Sequence, residues 1–507
     1  MQPIDTGDLA FDRHSSSLQK QLFNAISKKI VSNLWAKGGK LPSTRKLASE
    51  LSISRNTVIS VYEQLVAEGF LESRVGSGFY VAVELPSFVF DNDIVSIRQS
   101  EGVLSRQNLN DRKNSQSIEP YNSIDSSIHN NTHNHEHVID DLNRSFAPGV
   151  PDLKAFPMVK WSRFLQRHAS RTSLLGSQDL QGDKRLCQAL CDYVSSSRSV
   201  SCSVDQIIIT SGAQQALSIA LMSILKPEDK VLMENPGYVQ MKKVIALLKL
   251  QFESIPVEVK TGLRVDQVKQ SDGKLLYVTP SNQYPMGTSI NLEQRIELVQ
   301  WAKEHERWII EDDYDSEFQF AHRPYPSLQG LSKQVGAEER VFYVGSLSKV
   351  MFNGLRLGYL IVPKSLVPIC LAVKDALSGD TPSHVQAALA DFIVEGDFLR
   401  HIRKMRRLYK KKHEMMIAAI EQHFAGEVEV ISQAAGLHVT LKWSGGVSET
   451  ELCDRAKEQG ITIRPLSMYE SNATKQRTWS GAVLGFGNIA IEEIDSRIST
   501  LAQLWQT

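Results

Sequence analysis

From Leu18 the apolar residues recur at Leu18, Leu22, Ile26 and Ile30, a four-residue spacing that lines one face of a helix. Two shorter amphipathic runs follow. "LPSTRKLASEL" offers Ser43 as an N-cap and turns Leu47 and Leu51 inward; "SISRNTVISVYEQLVAEGF" offers Ser54 as a second cap and turns Val58, Val61, Tyr62 and Leu65 inward. "FLESRVGSGFYV" then reads as a two-stranded ribbon about a Gly76-Ser77-Gly78 turn. Beyond it the periodicity stops. The stretch "SRQNLNDRKNSQSIEPYNSIDSSIHNNTHNHEHVIDD" has too few apolar anchors to bury and reads as a flexible linker between two loosely joined bodies. Strand-like runs then alternate with helical ones to the end: "QIIIT" leads into "SGAQQALSIALMSIL", "KVLMENPGY" into a helix, "KLLYVTP" and "RWIIEDDYD" into loops, and "RVFYVGS" into Leu347, Ser348 and Lys349. That alternation predicts an α/β fold with a mostly parallel sheet, helices on both faces, and ligands at the carboxyl ends of the strands. The domains expected are 1–84, a linker over 85–145, and 146–507 with a small α+β subdomain from about 398.

Two short helices joined by a tight turn are the helix-turn-helix plan, whose second helix sets its first residues against base edges in the major groove. Here those residues are Arg55, Asn56 and Thr57. Arg matches guanine O6 and N7, Asn matches adenine N6 and N7, and Thr suits a thymine methyl or a phosphate. The ribbon reads as a wing, with Arg74 available to phosphate. The partner expected is double-stranded operator DNA.

Charge sharpens this picture only locally. Lys and Arg total 57 and Asp and Glu total 57, so the whole chain has no field that selects nucleic acid or membrane. Between Arg13 and Tyr80, however, there are ten basic and four acidic residues. The five cysteines include no CxxC pair, which fits buried thiols of a reducing cytosol rather than a disulfide frame or a zinc site. The start "MQPIDTGDLAFDRHSSS" is no export signal and no later run is long enough to span a bilayer, so a cytoplasmic protein is expected. His129, His133, His135 and His137 sit in the polar linker, where such clusters ordinarily hold nothing, and no metal is expected.

At the strand ends the residue types fit one cofactor, pyridoxal phosphate. It needs an amine for a Schiff base, a carboxylate beside its ring nitrogen, a donor to its phenolic oxygen and a phosphate cradle. Lys349 offers the amine, Asp312 the carboxylate and Tyr314 the donor. Ser211, Gly212 and Ala213 open a helix whose free N–H groups favour an anion; Ser346, Ser348 and Arg356 complete the cradle, and Tyr238 stacks on the ring.

The front stretch "LPSTRKLASELSISRNTVISVYEQLVAEGFLESRVGSGFYV" resembles the winged helix-turn-helix of the GntR family of bacterial transcription regulators, which adds Arg45 and Gly78 to the DNA-facing set. "TSGAQQAL", "ENPGY", "TPSNQYPMG", "IIEDDYDSEF", "GSLSK" and "LRLGY" resemble the fold type I aminotransferases. The fusion is similar to the MocR subfamily of regulators. That resemblance implies a head-to-tail homodimer with each head over the partner's cofactor domain, and transcriptional control as output.

Departures from the pattern matter as well. Asn282 takes the place of a usual His in the cofactor-binding set, Ser177 that of a tyrosine, and Gln240 that of an arginine in some relatives. Val483 stands where aminotransferases place the arginine that grips the substrate carboxylate. The expectation is therefore a regulator, not an enzyme, that senses an amine, an amino acid or pyridoxal phosphate itself. The alternative is an active aminotransferase with a DNA-binding head, in which Arg464 or Arg477 supplies the lost contact. A scaffold without cofactor is the third reading. The helix "FLRHIRKMRRLYKKKHEMM" is expected to turn Leu399, Ile402, Met405 and Tyr409 inward and to leave a solvated basic face rather than a second DNA contact.

Overall fold

A computed structural model describes residues 18–31, 34–74, 77–82, 144–320, 325–471 and 477–506. The expected linker with its histidines, and Gly76 of the wing turn, lie outside the described residues.

The head is built from α1 (Leu18–Val31), α2 (Thr44–Glu50), α3 (Arg55–Ala67) and the antiparallel ribbon β1 (Leu71–Arg74) and β2 (Gly78–Val81). Both expected caps form: Ser43 Oγ accepts from the Lys46 N–H at 3.2 Å and Ser54 Oγ from the Asn56 N–H at 3.3 Å. Leu22, Ile26, Ile30, Leu47, Val58, Val61, Tyr62 and Leu65 are buried, whereas Leu18 and Leu51, at helix ends, are only half-covered. This core does not close on itself. It continues into Leu292, Ile296 and Leu331 of the body, so head and body share one apolar cluster instead of standing as two loosely joined bodies.

The body carries an eight-stranded sheet in the order β3-β10-β9-β8-β7-β4-β5-β6. Its strands are β3 (Ile207–Thr210), β4 (Lys230–Asn235), β5 (Gln251–Glu258), β6 (Gly262–Leu263), β7 (Leu275–Val278), β8 (Trp308–Asp313), β9 (Val341–Ser346) and β10 (Gly358–Ile361). The central pairs are parallel, as the alternation predicts. β10 alone among the inner strands runs antiparallel to both neighbours, with Gly358 opposite Ser346 on one side and Thr210 on the other. That reversal places the start of β10 at the same sheet edge as the ends of β3, β8 and β9. Arg356, two residues before β10, therefore arrives at the edge from which Lys349 departs. The two strands are hydrogen-bonded neighbours, and a Cβ built on Gly345 of β9 would stand 2.0 Å from the Tyr359 ring on β10.

Around the site stand α4 (Lys184–Ser197), α5 (Ala213–Ile224), α6 (Leu292–Glu304) and α7 (Leu328–Val335). The last part of the chain forms an antiparallel sheet of β11 (Glu429–Val430), β12 (His438–Trp443), β14 (Ser480–Gly485) and β13 (Arg464–Pro465), packed on α8 (Asp397–Phe424) and α9 (Ile494–Gln506). In α8, Ile402, Met405 and Tyr409 face inward, but Leu399 is exposed. Lys412 is buried as well, because its Nζ donates to Asp152 Oδ2 at 2.8 Å and to the Gly487 carbonyl at 2.7 Å. The remaining basic side chains of this helix are exposed. No helix among the described residues is long and apolar enough to cross a membrane.

Candidate functional site

Three consecutive acids end β8, and strand alternation sends them to opposite faces. Glu311 lies 3.7 Å from the Arg295 guanidinium, and Asp313 pairs with Arg198 at 2.6 Å and accepts the Tyr343 hydroxyl at 2.6 Å. Asp312, on the other face, has no cation within ion-pair distance among the described residues. Its Oδ2 accepts the Tyr277 hydroxyl at 2.7 Å, while its Oδ1 is buried without a hydrogen-bond partner. Burial pushes the Asp312 carboxyl up to about 7, against the pull of Tyr277 and with a push from Asp313. A buried carboxylate in this condition fits a donor that is also cationic, such as a protonated ring nitrogen.

Lys349 sits in the turn after β9, and its Nζ donates to the Gly149 carbonyl, which Asn353 Nδ2 also approaches at 3.4 Å. Burial draws the amine down to about 8, while Asp315 opposes the shift. Asn282 ties this corner together. Its Nδ2 donates to Asp315 at 2.9 and 3.1 Å and to the Tyr314 oxygen at 3.2 Å, and the Tyr314 hydroxyl donates to the Asn282 carbonyl at 2.8 Å. The Tyr284 ring stands edge-on to Tyr314 at 6.0 Å and to Tyr238 at 6.4 Å. The charges of Asp312 and Arg356 both act on the Tyr238 hydroxyl, whose pKa is raised chiefly by burial.

At the other end, Gly212 takes φ +92° and Arg356 φ +50°, which lets the guanidinium lie over the glycine and donate to the Ser211 carbonyl at 3.4 Å. Ala213 is the first residue of α5, and Ser348 N–H donates to Ser346 Oγ at 3.3 Å. Ser211, Ala213, Ser346 and Ser348 are half-exposed and Arg356 is exposed, so donors on this rim face solvent. Among the described residues no group of three or more His, Cys, Asp or Glu is gathered as for a metal.

Several residues that complete this corner were not singled out from sequence. Tyr277, Gly149 and Asp315 each touch an expected site residue, Asn353 reaches the Gly149 carbonyl, and burial, aided by the Lys349 charge, holds His438 down at about 4. Alternation offered a faint signal for Tyr277, a polar-tipped residue in an otherwise apolar inner strand. Ser177 is exposed and Gln240 accepts from Gln214 at 3.2 Å. The two arginines considered for a carboxylate differ sharply. Arg477 is held by Glu470 at 2.7 Å and Glu449 at 2.8 Å. Arg464 is half-buried, lies directly across the strand pair from Val483, and has no acceptor among the described residues; its charge acts on Tyr284 and Tyr469, whose hydroxyls meet at 2.9 Å.

In the head, Arg45, Arg55 and Asn56 are exposed and Thr57 is half-buried, all near the starts of α2 and α3. Arg74 is more occupied than the wing reading supposed: it bonds Glu72 at 2.8 Å and lies 4.3 Å over the Tyr80 ring. Gly78 opens β2 at φ +112°.

Head and body together define a winged helix-turn-helix DNA-binding unit joined to an aminotransferase fold. Residues 18–81 match the model for bacterial regulatory proteins of the gntR family and residues 147–478 that for aminotransferase class I and II. The chain is 34% identical over 499 residues, 97% of its length and 95% of the relative's, to a probable rhizopine catabolism regulatory protein, MocR, of Rhizobium meliloti. It is 27% identical to a pyridoxine biosynthesis transcriptional regulator, PdxR, of Corynebacterium glutamicum, over 95% of this chain and 94% of that one. In fold it is similar to a kynurenine aminotransferase from Pyrococcus horikoshii, solved with PMP, at TM-score 0.66 and 22% identity over 73% of this chain and 93% of that one. The chain belongs to the GntR family of DNA-binding transcriptional regulators, in the MocR-type branch fused to an aminotransferase domain.

Proposed function

We propose that the body binds pyridoxal phosphate and acts as an effector sensor for the DNA-binding head, not as a catalyst. The observation that carries this reading is Asp312: buried, raised to about 7, one oxygen unpartnered, and without a cation within ion-pair distance among the described residues. In this reading Asp312 takes the ring nitrogen, Lys349 the aldehyde carbon, Tyr314 and Asn282 the phenolic side, and Tyr238 the ring face. Ser211, Gly212, Ala213, Ser346, Ser348 and Arg356 hold the phosphate. The bound group supplies an electrophilic carbon to which amines add. The chain's own residues keep the Lys349 amine partly neutral by burial and orient it through Gly149 and Asn353.

Sensing is favoured over turnover because Val483 offers no charge to a substrate carboxylate. A DNA-binding head is useful only if occupancy changes its affinity, which requires the effector to bind two states unequally. The effector class is an amine, an amino acid or pyridoxal phosphate itself. Arg45, Arg55, Asn56, Thr57, Arg74 and Gly78 form the DNA face, and the working unit is a head-to-tail homodimer in the cytoplasm. The test is optical: purified protein absorbs in the visible, borohydride fixes the chromophore, and Lys349→Ala abolishes both. A wild-type protein that stays colourless with added pyridoxal phosphate overturns the reading.

A further inference from the structure

The head rests on the body through Leu292, Ile296 and Leu331 and touches it again at Ser199. Glu68, at the end of α3, is buried, and Ser199 Oγ donates to its two carboxylate oxygens at 3.1 and 3.2 Å. Ser201 is pinned by Gln329, its N–H donating and its carbonyl accepting at 2.8 Å. Between these anchors and the next strand lies Cys202, whose sulfur is 3.8 Å from that of Cys191 on α4. The Cys191 thiol also approaches the Cys202 carbonyl at 3.5 Å. The charge of Lys20, on α1 of the head, acts on both sulfurs. This is the one place among the described residues where two sulfurs are recorded in contact, and the head stands over it.

The other three cysteines behave as inert core. Cys187, Cys370 and Cys453 are buried, as Cys191 is, and with no sulfur beside them among the described residues their thiols are pushed up by burial, Cys187 to about 12 and Cys370 to about 11. Cys191 moves the opposite way. The neighbouring Cys202 S–H stabilises its thiolate and brings it down to about 7, while Cys202 rises. The thiolate is the reactive form, and a resolving thiol at contact distance directs its oxidation to a disulfide rather than to higher acids.

We infer that Cys191 and Cys202 form a reversible dithiol–disulfide couple, oxidised by a peroxide, in the footing of the DNA-binding head. The Cys191 thiolate attacks one peroxide oxygen, breaking the O–O bond and releasing hydroxide, which leaves a sulfenic acid. The Cys202 sulfur then attacks that sulfur, losing its proton as water departs, and the S–S bond forms. Two thiols are oxidised and one peroxide is reduced to two waters. The sulfurs must close from 3.8 Å to about 2.05 Å. Cys191 is fixed in the middle of α4, so Cys202 takes up the movement and pulls against the Ser201–Gln329 anchor, two residues from the Ser199–Glu68 contact.

The test uses the full-length chain, reduced, desalted and exposed to hydrogen peroxide, followed by alkylation, peptide mapping and hydrogen exchange. The expected result is a cross-linked 191–202 peptide pair that dithiothreitol reverses, with Cys187, Cys370 and Cys453 unmodified. Amide exchange in α1 should rise at least several-fold in the oxidised form and stay unchanged by peroxide in Cys202→Ser. Oxidation of Cys202 to sulfinic or sulfonic acid without a cross-link overturns the couple, and so does a chain that resists peroxide. A cross-link that leaves α1 exchange unchanged overturns the link to the head. Mapping on the wild type needs no variant, so a poorly folding substitution does not blur the outcome.

Discussion

The Tyr277 hydroxyl donates to Asp312 Oδ2 at 2.7 Å, within the sheet edge and out of solvent. Among the described residues it is the one hydrogen bond to this carboxylate, whose other oxygen is buried without a partner. Tyr277→Phe should weaken pyridoxal phosphate binding about tenfold, the scale of one hydrogen bond to a charged group. Asp312→Asn should abolish retention through gel filtration. Absorbance titration of cofactor-free protein reads both, and wild-type affinity in Asp312→Asn would remove that residue from the cofactor set.

The same carboxylate makes cofactor-free stability depend on pH. Its folded pKa, about 7, lies above the unfolded value near 3.9, so its favourable contribution is full below pH 4 and is lost as pH rises through 7. Without cofactor, Asp312→Asn should therefore be more stable than wild type at pH 8, by roughly 2–4 kcal/mol, and show no gain at pH 4. Urea unfolding at the two pH values checks the sign.

Burial of its amine draws Lys349 down to about 8, which leaves roughly a tenth of it neutral at pH 7. The rate of cofactor capture by stripped protein should rise with pH to a plateau with its midpoint near 8. A surface lysine would give a midpoint near 10.4. Stopped-flow absorbance separates the two.

Arg464 and Arg477 make opposite predictions. If an effector carries a carboxylate, Arg464→Gln should erase the protein's preference for an amino acid over the matching amine lacking the carboxylate, a loss of about tenfold or more. Arg477→Gln should keep the preference and lower stability, since it breaks contacts to Glu449 and Glu470. Spectral titration with such pairs reads the first and thermal unfolding the second.

Arg55→Ala should cost roughly 1–3 kcal/mol at a footprinted operator and relax the choice at one base pair, whereas Arg45→Ala should weaken all sequences alike if it meets phosphate. Anisotropy titrations at fixed salt on matched and mutated operators distinguish the two roles.

Much of this was legible in the chain because it is local. Caps at Ser43 and Ser54, the inward faces of α1 and α3, and the strand ends carrying Asp312 and Lys349 all depend on neighbours a few residues away. The reversal at β10 was hidden, since a short apolar strand reads the same in either direction. So were the partners of β8: Arg198 reaches Asp313 across 115 residues, and only the folded sheet shows that this face is neutralised and the Asp312 face is not. Leu399 is exposed because the inward stripe through Ile402, Met405 and Tyr409 begins at Phe398, and the same stripe runs on to Lys412, which Asp152 and the Gly487 carbonyl give partners inside the protein. The head's seat on Leu292, Ile296 and Leu331 and the meeting of Cys191 with Cys202 are tertiary facts with no periodic trace.

Gly345 carries one more implication. Lys349 follows the strand that holds this glycine, and Arg356 leads into the paired strand that holds Tyr359, whose ring lies over the glycine on one face of the sheet. One added carbon at position 345 would stand 2.0 Å from that ring and drive the tyrosine off the face it shares with Tyr343, so this crossing of strands admits no side chain but a hydrogen.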